Sequence, residues 1–577
     1  MTILDANQAS VARADARRWC VVIAGPGSGK TTASVSLISH LDEVVPDPKN
    51  RTVLYISFSR ATIRAAFSGA KQVAEGSDLF VDLRTIDSLA LYLLGETASV
   101  ETGGEPNFER RIAAATRILK EQGDELLDDV CHVIVDEAQD LSTSRRDFLI
   151  QLLKKVPEDC GLTMFADPAQ AIYQFQEPTS REQDQDSSFT EAWADFLEEL
   201  SSIRPTDREN LDGQYRSKTP VMRLVSKRLA QSRNADGLIA DSFVLDELQS
   251  ELPVLTLDAV PEVSGVWRGT TAILTSTNAE ALQIYASLRD SLPIQIILPR
   301  QDRPRLPAWL SHWEAHPHAA GDTFSLQDLF SQSSILKGFS IDEARQLGLP
   351  VEDYGEIRWS DIPKRAAQYS PPPIDLHGEQ KLVVSTIHQS KGLEYDNVLI
   401  YNPDRLISPG KHQSAHLEML FVALSRATSR LVSLEKSDAV RPTRIVRGRP
   451  IVPLHHRVSP ASIKVGPADV RDDILVGDGA GQSLLRDEDG SCLVHFDLME
   501  ASIDVPVYRI LLEGTSVGMT TNAFGAELKA LTKSSQGRWP NLGPVPIDGV
   551  ESAVSYRWNS GRPFLIPRPL GFAAISY

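Results

Sequence analysis

Residues 19–32 read WCVVIAGPGSGKTT. The apolar run Val21 to Ile23 enters a glycine-rich loop, and the loop ends in Gly29-Lys30-Thr31 ahead of a helix-compatible segment. Strand, loop and helix in this order restrict the chain to a phosphate-cradling α/β fold. Ala24 stands first in the pattern, where glycine is more usual, followed by Gly25, Pro26, Gly27, Ser28, Gly29, Lys30, Thr31 and Thr32. Backbone N–H groups of such a loop, and of the helix that follows, point at the phosphates. Lys30 is placed to reach the β- and γ-phosphates, and the Thr31 hydroxyl to ligate Mg²⁺.

A second element completes the chemistry. Val133-Ile-Val135-Asp136-Glu137 is an apolar run that ends in two adjacent carboxylates. Open α/β sheets bind ligands beyond the C-terminal ends of their strands. Asp136 suits a magnesium ion, and Glu137 suits a base that orients or deprotonates an attacking water. An Asp-Glu pair after an apolar run is common and usually structural. Paired with the loop at Lys30, it points to nucleoside triphosphate hydrolysis, with ATP and Mg²⁺ as cofactors.

The chain has 577 residues, so two to four domains are expected. Strand-like runs alternate with helical patterns from Cys20–Ala24 through Val53–Ser57, Val81–Thr85, Val130–Val135 and Leu162–Ala166. A second series follows at Thr271–Thr275, Ile294–Leu298, Lys381–Thr386 and Asn397–Tyr401. Residues 301–380, rich in Pro, Trp, His and Asp, interrupt that series. After about residue 440, short apolar runs alternate with Gly/Pro/Asp turns, the texture of a small β-rich domain.

Four scattered cysteines without a CxxC pair suggest neither a zinc site nor a disulfide framework. The N-terminus lacks an apolar signal region, and no run is long enough to span a bilayer, so a cytoplasmic, membrane-free protein is expected. The formal net charge of −18 argues, taken alone, against nucleic acid. Binding depends on local fields rather than on the total. Arg441, Arg444, Arg447, Arg449 and Arg457 form an acid-free stretch that fits an extended linker or a phosphate contact equally well. Glu527-Leu-Lys529 is an E-x-K fragment of nuclease type, but its segment reads as a helix, so a solvated helix face is favoured.

The phosphate loop and Asp136-Glu-Ala-Gln-Asp140 resemble motifs I and II of the UvrD/Rep-type, superfamily 1A, ATP-dependent DNA helicases. Further segments resemble the family's other motifs in order: Leu4–Gln8 the Q motif, Phe58-Ser59-Arg60 motif Ia, and Thr85–Ser88 the next strand-binding motif. Phe165–Tyr173 resembles motif III, Leu211–Ser217 motif IV, Ser385–Glu394 motif V and Val422–Ala427 motif VI. The resemblance covers about residues 1–440.

It implies two RecA-like P-loop lobes with a cleft between them. The implied domains are 1–205 for the first lobe, with a reduced 1B-like insertion at 96–130. The second lobe takes 206–304 and 381–440, with a reduced 2B-like insertion at 305–380. Residues 441–577 form a β-rich domain of unassigned role. Gln8 and Tyr215 would hold the adenine, and Glu394 the ribose. Gln170, Arg216 and Arg426 would sense and stabilise the γ-phosphate, Arg426 as an arginine finger.

Phe58, Ser59, Arg60, Thr85, Tyr173, Phe175, Thr386, His388 and Lys391 would line a track for single-stranded or tailed duplex DNA. Departures from the family pattern at Ala61, Asp87 and Gln176 remove stacking area or positive charge from that track, and Gln214 replaces the usual Asn. The activity implied is 3′→5′ unwinding or translocation in repair, recombination or defence. The alternatives are the motor subunit of an assembly with a nuclease partner, and an ATP-gated DNA-binding module without directional movement.

Overall fold

The computed structural model describes residues 4–57, 78–94, 108–122, 127–172, 185–298, 323–324, 357–358, 382–407, 413–454, 460–476, 479–488, 492–499, 504–534, 538–554 and 563–577. The chain divides into two compact units, residues 1–276 with 381–436, and 277–380 with 437–577.

The first unit holds two parallel sheets. In the first sheet, β1 (Trp19–Ala24), β2 (Thr52–Ser57), β3 (Phe80–Thr85), β4 (Val130–Asp136), β5 (Gly161–Ala166) and β6 (Asp207–Leu211) run in the order β3-β2-β4-β5-β1-β6. Every neighbouring pair is parallel. β1, β4 and β5 are buried along their whole length, which is why they read as continuous apolar runs rather than alternating ones. β6 has the sequence DRENL and pairs with β1 in parallel. The first sheet therefore extends to Leu211, past the expected lobe boundary at 205. An edge strand with exposed polar residues carries no apolar signal that would have placed it there.

Five of the six strands of the second sheet lie in this unit, β7 (Val254–Leu255), β8 (Thr271–Thr275), β9 (Leu382–Thr386), β10 (Tyr395–Tyr401) and β11 (Ala427–Leu434), in the order β7-β11-β10-β8-β9. These pairs too are parallel. Each sheet presents its C-terminal strand ends to loops that bear the expected motifs, so the two-lobe α/β architecture holds.

The second unit is built mainly from two antiparallel five-stranded sheets around one core that includes Ile463, Tyr508, Phe524, Val545 and Phe564. Residues 441–577 are thus β-rich, as the turn-punctuated pattern predicts. The helix Asn278–Leu288 and the strand Ile294–Ile297 fall in this unit as well. Within it, Arg449 pairs with Asp469 at 2.8 Å and with Glu527 at 2.5 Å, so one member of the basic stretch is an internal brace. Lys529 donates to the Asp504 carbonyl at 2.9 Å from the helix Asn522–Thr532. The E-x-K fragment is spent on structure. No described helix is long and apolar enough to cross a membrane. All four cysteines are free.

Candidate nucleotide site

The loop after β1 is shaped by backbone geometry that side chains resist. Gly27 and Gly29 have φ of +72° and +86°, in the left-handed region. A Cβ on Gly29 would collide with the Gln8 amide. The helix α2 (Lys30–Val44) starts on Gly29 without a side-chain cap, which leaves its first N–H groups for an anion. Gln8 is fixed by a capping box with Asp5 at the start of α1 (Ala6–Ala12), and its Nε2 donates to the Ser28 carbonyl at 3.4 Å. From the other side, the Tyr215 N–H donates to the Gly27 carbonyl at 2.9 Å, and the Tyr215 hydroxyl donates to the Asp5 carboxylate. Tyr215 is 56% exposed, an open aromatic face beside the loop. Gln8 and Tyr215, to which the resemblance assigns the adenine, therefore flank Gly27–Gly29.

The two carboxylates stand at the end of β4. Asp136 is buried and accepts from the Tyr55 hydroxyl at 3.1 Å and the Glu137 N–H at 2.9 Å. Glu137 sits at φ +55°, an uncommon conformation for a residue with a side chain. Its carboxylate lies 3.1 Å from the Lys30 ammonium. Burial opposes the Glu137 charge, but Lys30, Lys391 and the Gln139 amide overcome it and hold its pKa down near 2. Asp136 moves the other way, to about 6, because burial and the adjacent Glu137 outweigh Lys30. Lys30 is held above its ordinary range. Burial alone would lower it, but Glu137, Asp167 and Asp136 prevail.

A chain of amides links this pair to the next motif. Gln139 donates to Glu137 at 2.5 Å and accepts from the Asp167 N–H at 2.9 Å. Asp167, fully buried, accepts from Gln170 Nε2 at 2.6 Å. Gln170 Oε1 in turn accepts from Arg426 Nη2 at 2.7 Å. Arg426 follows the helix α4 (Gln413–Leu424) and leads into β11, so the second sheet's arginine touches the first sheet's glutamine. It is only 2% exposed, and burial, with Arg216 nearby, lowers its pKa to about 10. Arg216 pairs with Glu394 at 2.7 Å and donates to the Ser425 carbonyl at 2.9 Å. The residues expected at a triphosphate thus converge on one loop.

Arg233, which no sequence motif marks, joins them. It lies just beyond the helix α3 (Pro220–Gln231), 3.0 Å from Asp167, and a Cβ on Gly25 would strike its guanidinium. A lone arginine in a polar loop has no motif to mark it. Only the nearby Gly237, at φ +79°, hints at a tightly packed turn.

The residues present fit ATP and magnesium. The Lys30 ammonium and Arg216 lie at the loop, and Arg426 stands one hydrogen bond away on Gln170. The buried Ser28 Oγ and Arg216 Nε have no hydrogen-bond partner. Thr31 and Asp136 supply the one hydroxyl and one carboxylate that Mg²⁺ takes alongside phosphate oxygens. No cluster of three or more metal-ligating side chains occurs among the described residues.

The expected DNA track fares differently. Phe58, Ser59, Arg60, Tyr173 and Phe175 lie outside the described residues. Thr85 is buried, and its hydroxyl accepts from the Ser88 N–H at 3.1 Å. Thr386 is buried and accepts from the Gln389 N–H at 3.3 Å. Both hydroxyls close turns rather than face a groove. Lys391 is 7% exposed, pairs with Asp140 at 2.5 Å and donates to the Gln170 carbonyl. Its ammonium braces the two sheets and is not on a surface. His388 is half-buried and held by the Ile172 backbone. Burial lowers its pKa. Asp87, the acid in the strand motif, is matched by Arg145 at 2.7 Å.

Fold and site together define a P-loop nucleoside triphosphatase with two RecA-like lobes. Two family models match the chain: an AAA domain over residues 7–176, and a UvrD-like helicase C-terminal domain over residues 381–433. The two matches fall on the first and second parallel sheets and support a superfamily 1 helicase core. Among solved structures it is similar to the Pif1 helicase from Candida albicans, at 15% identity and a TM-score of 0.38, covering 76% of this chain and 96% of that one. It is also similar to Dbp5 from S. cerevisiae bound to RNA and ADP BeF3, at 12% identity and a TM-score of 0.35, covering 73% and 80%. No curated protein matches the chain.

Proposed function

We propose that this protein is an ATP-dependent DNA helicase or translocase of UvrD-like type that moves 3′→5′ along single-stranded DNA and serves repair, recombination or defence. The observation that carries the reading is the contact of Arg426, from the second lobe, with Gln170, from the first. A binding module has no need of it. A hydrolase that must neutralise charge on a transferring phosphoryl group does.

The chain's own groups divide the work. Thr31 and Asp136 would hold magnesium, which would supply charge neutralisation at the phosphate oxygens. Lys30 turns from Glu137 to the phosphates. Glu137 then loses the cation that chiefly suppresses its basicity, and becomes the base for water. Gln170 and Arg426 stabilise the γ-phosphate end, and Arg216 joins them by leaving Glu394. Loss of that phosphate restores the ion pairs Lys30–Glu137 and Arg216–Glu394. Two sets of partners for the same cations make two states of the cleft, which ATP binding and hydrolysis alternate.

The test is ATPase activity with and without single-stranded DNA, beside Lys30→Ala, together with streptavidin displacement from each end of a biotinylated strand. Stimulation by DNA and displacement from the 5′ end support the reading. Hydrolysis untouched by DNA, with no displacement, removes the motor. A second reading, a motor that draws its nuclease from a partner, is favoured by the internal use of Glu527 and Lys529. It predicts directional movement by the isolated chain and duplex unwinding only in the partner's presence.

A further inference from the structure

Arg233 occupies a place that no motif assigns. The helix α3 packs against β11 of the second sheet. The turn that follows docks on the first. A Cβ on Gly237 would lie 2.8 Å from Ile23 Cγ2 and 3.0 Å from Pro168 Cδ, so only glycine lets the turn sit this close to β1 and the Gln170 segment. Leu238 packs on the first sheet's core. Asn234 ties the turn, accepting from the N–H groups of Asp236 and Leu238 at 3.0 Å each. The Arg233 side chain is fixed in turn, its Nε donating to the Gly237 carbonyl at 3.2 Å.

From this anchored base the guanidinium reaches one carboxylate. Nη2 lies 3.0 Å from Asp167 Oδ1, and Asp167 is fully buried. The other Asp167 oxygen accepts from Gln170 Nε2. That hydrogen bond decides which end of the Gln170 amide faces Arg426. With the NH₂ engaged by Asp167, the carbonyl oxygen is presented to the arginine. A buried carboxylate needs a counterion to stay charged and aligned. Arg233 is the cation in ion-pair contact with it, while Lys30 and Arg426 act on Asp167 electrostatically.

Resting on the helicase reading above, we propose that Arg233 is a positioning residue for hydrolysis: through Asp167 it sets the Gln170 amide toward Arg426 and ties the second lobe's leading helix to that setting. It touches no substrate in this role. Its effect is on the catalytic step rather than on nucleotide binding, which rests with Lys30, Gln8 and Tyr215.

Steady-state ATPase of the full chain, with a fluorescent ATP analogue for affinity, distinguishes the possibilities for Arg233→Gln, Arg233→Lys, Gln170→Ala and the Arg233→Gln/Gln170→Ala double variant. Misplacing a reacting geometry by about an ångström costs on the order of 10²-fold. Arg233→Gln is therefore expected to lower kcat by about 10- to 100-fold with KM and analogue affinity within about 2-fold. The double variant should lose little beyond Gln170→Ala, because both act through one hydrogen bond. Lysine lacks the planar fork that meets the Gly237 carbonyl with one nitrogen and pairs with Asp167 through another, so Arg233→Lys is expected to lose several-fold in kcat. Unchanged kcat in Arg233→Gln, or losses that simply multiply in the double variant, overturns the proposal. If Arg233→Gln does not fold, a wild-type kcat in Arg233→Lys overturns it alone. A parent chain without ATPase activity would instead remove the helicase reading.

Discussion

Lys30 and Glu137 form an ion pair of 3.1 Å, so the base of the site is held by the cation that would bind its substrate. The pair explains why Glu137 is held down near pKa 2 although it is buried. A carboxylate that acidic is a poor base. Departure of Lys30 to phosphate is what makes it competent.

Replacing Glu137 with glutamine should separate binding from chemistry. The amide keeps the size of the side chain and its hydrogen bond with Gln139 but cannot take a proton. Turnover is expected to fall by about 10²–10⁴-fold. ATP affinity should hold or rise, since Lys30 no longer has to leave an ion pair. Single-turnover hydrolysis and equilibrium binding measure the two effects. Weakened ATP binding would show that Glu137 holds nucleotide rather than water.

Base selection should rest on Gln8 and Tyr215. Gln8 touches the Ser28 carbonyl, and Tyr215 presents an exposed ring next to Gly27. Gln8→Ala is expected to raise the KM for ATP by about 10-fold and leave that for GTP nearly unchanged, as loss of one or two base-edge hydrogen bonds would do. Competition between the two nucleotides in the ATPase assay reads this directly. Equal losses for both would mean that Gln8 only shapes the loop.

Acid should destabilise the first lobe through His132. The imidazole is buried between the Ala16 carbonyl and Thr163 Oγ1, each 3.0 Å from one ring nitrogen. A neutral ring satisfies both, donating to the carbonyl and accepting from the hydroxyl. Burial lowers its pKa to about 4 despite the carbonyl. A histidine lowered on folding contributes stability that is full above its unfolded value near 6.5 and is lost as pH falls toward about 4, a span worth on the order of 3 kcal/mol. Thermal unfolding at about pH 7.5 and about pH 5 should show this loss, and His132→Phe should shrink it. An acid response identical in the variant would place its origin elsewhere.

What was legible in the residues follows physical lines. β1, β4 and β5 are buried on both faces, and such strands announce themselves as apolar runs. The phosphate loop and the carboxylate pair were legible because their chemistry needs fixed spacing. β6 was not, because DRENL at a sheet edge buries little. Arg233 was not, because its place depends on how closely the Gly237 turn packs, a matter of three dimensions. The buried setting of Lys391 is hidden in the sequence for a related reason. A lysine among polar neighbours looks the same whether it faces a phosphate or a carboxylate, and only the fold supplies Asp140.

Lys391 and Asp140 have side chains 5% and 2% exposed, and their 2.5 Å contact joins the two sheets. Removing one partner of such a pair typically costs about 3–5 kcal/mol. Burial already raises the Asp140 pKa to about 7, with Lys391 pulling against it. A carboxyl raised on folding stabilises fully below its unfolded value and loses that contribution as pH climbs through the folded value. Lys391→Met removes the opposing cation and moves the folded value higher. Its deficit should therefore be smallest in mild acid and grow above about pH 7, while Lys391→Met/Asp140→Asn recovers most of the loss at alkaline pH. Single-strand affinity supplies the second measurement. A lysine that contacts phosphate contributes about 0.7 to the slope of log K against log salt, so an unchanged slope in Lys391→Met is the expected result. A slope reduced by that amount, with stability intact, would return Lys391 to the DNA track and make the pair with Asp140 incidental.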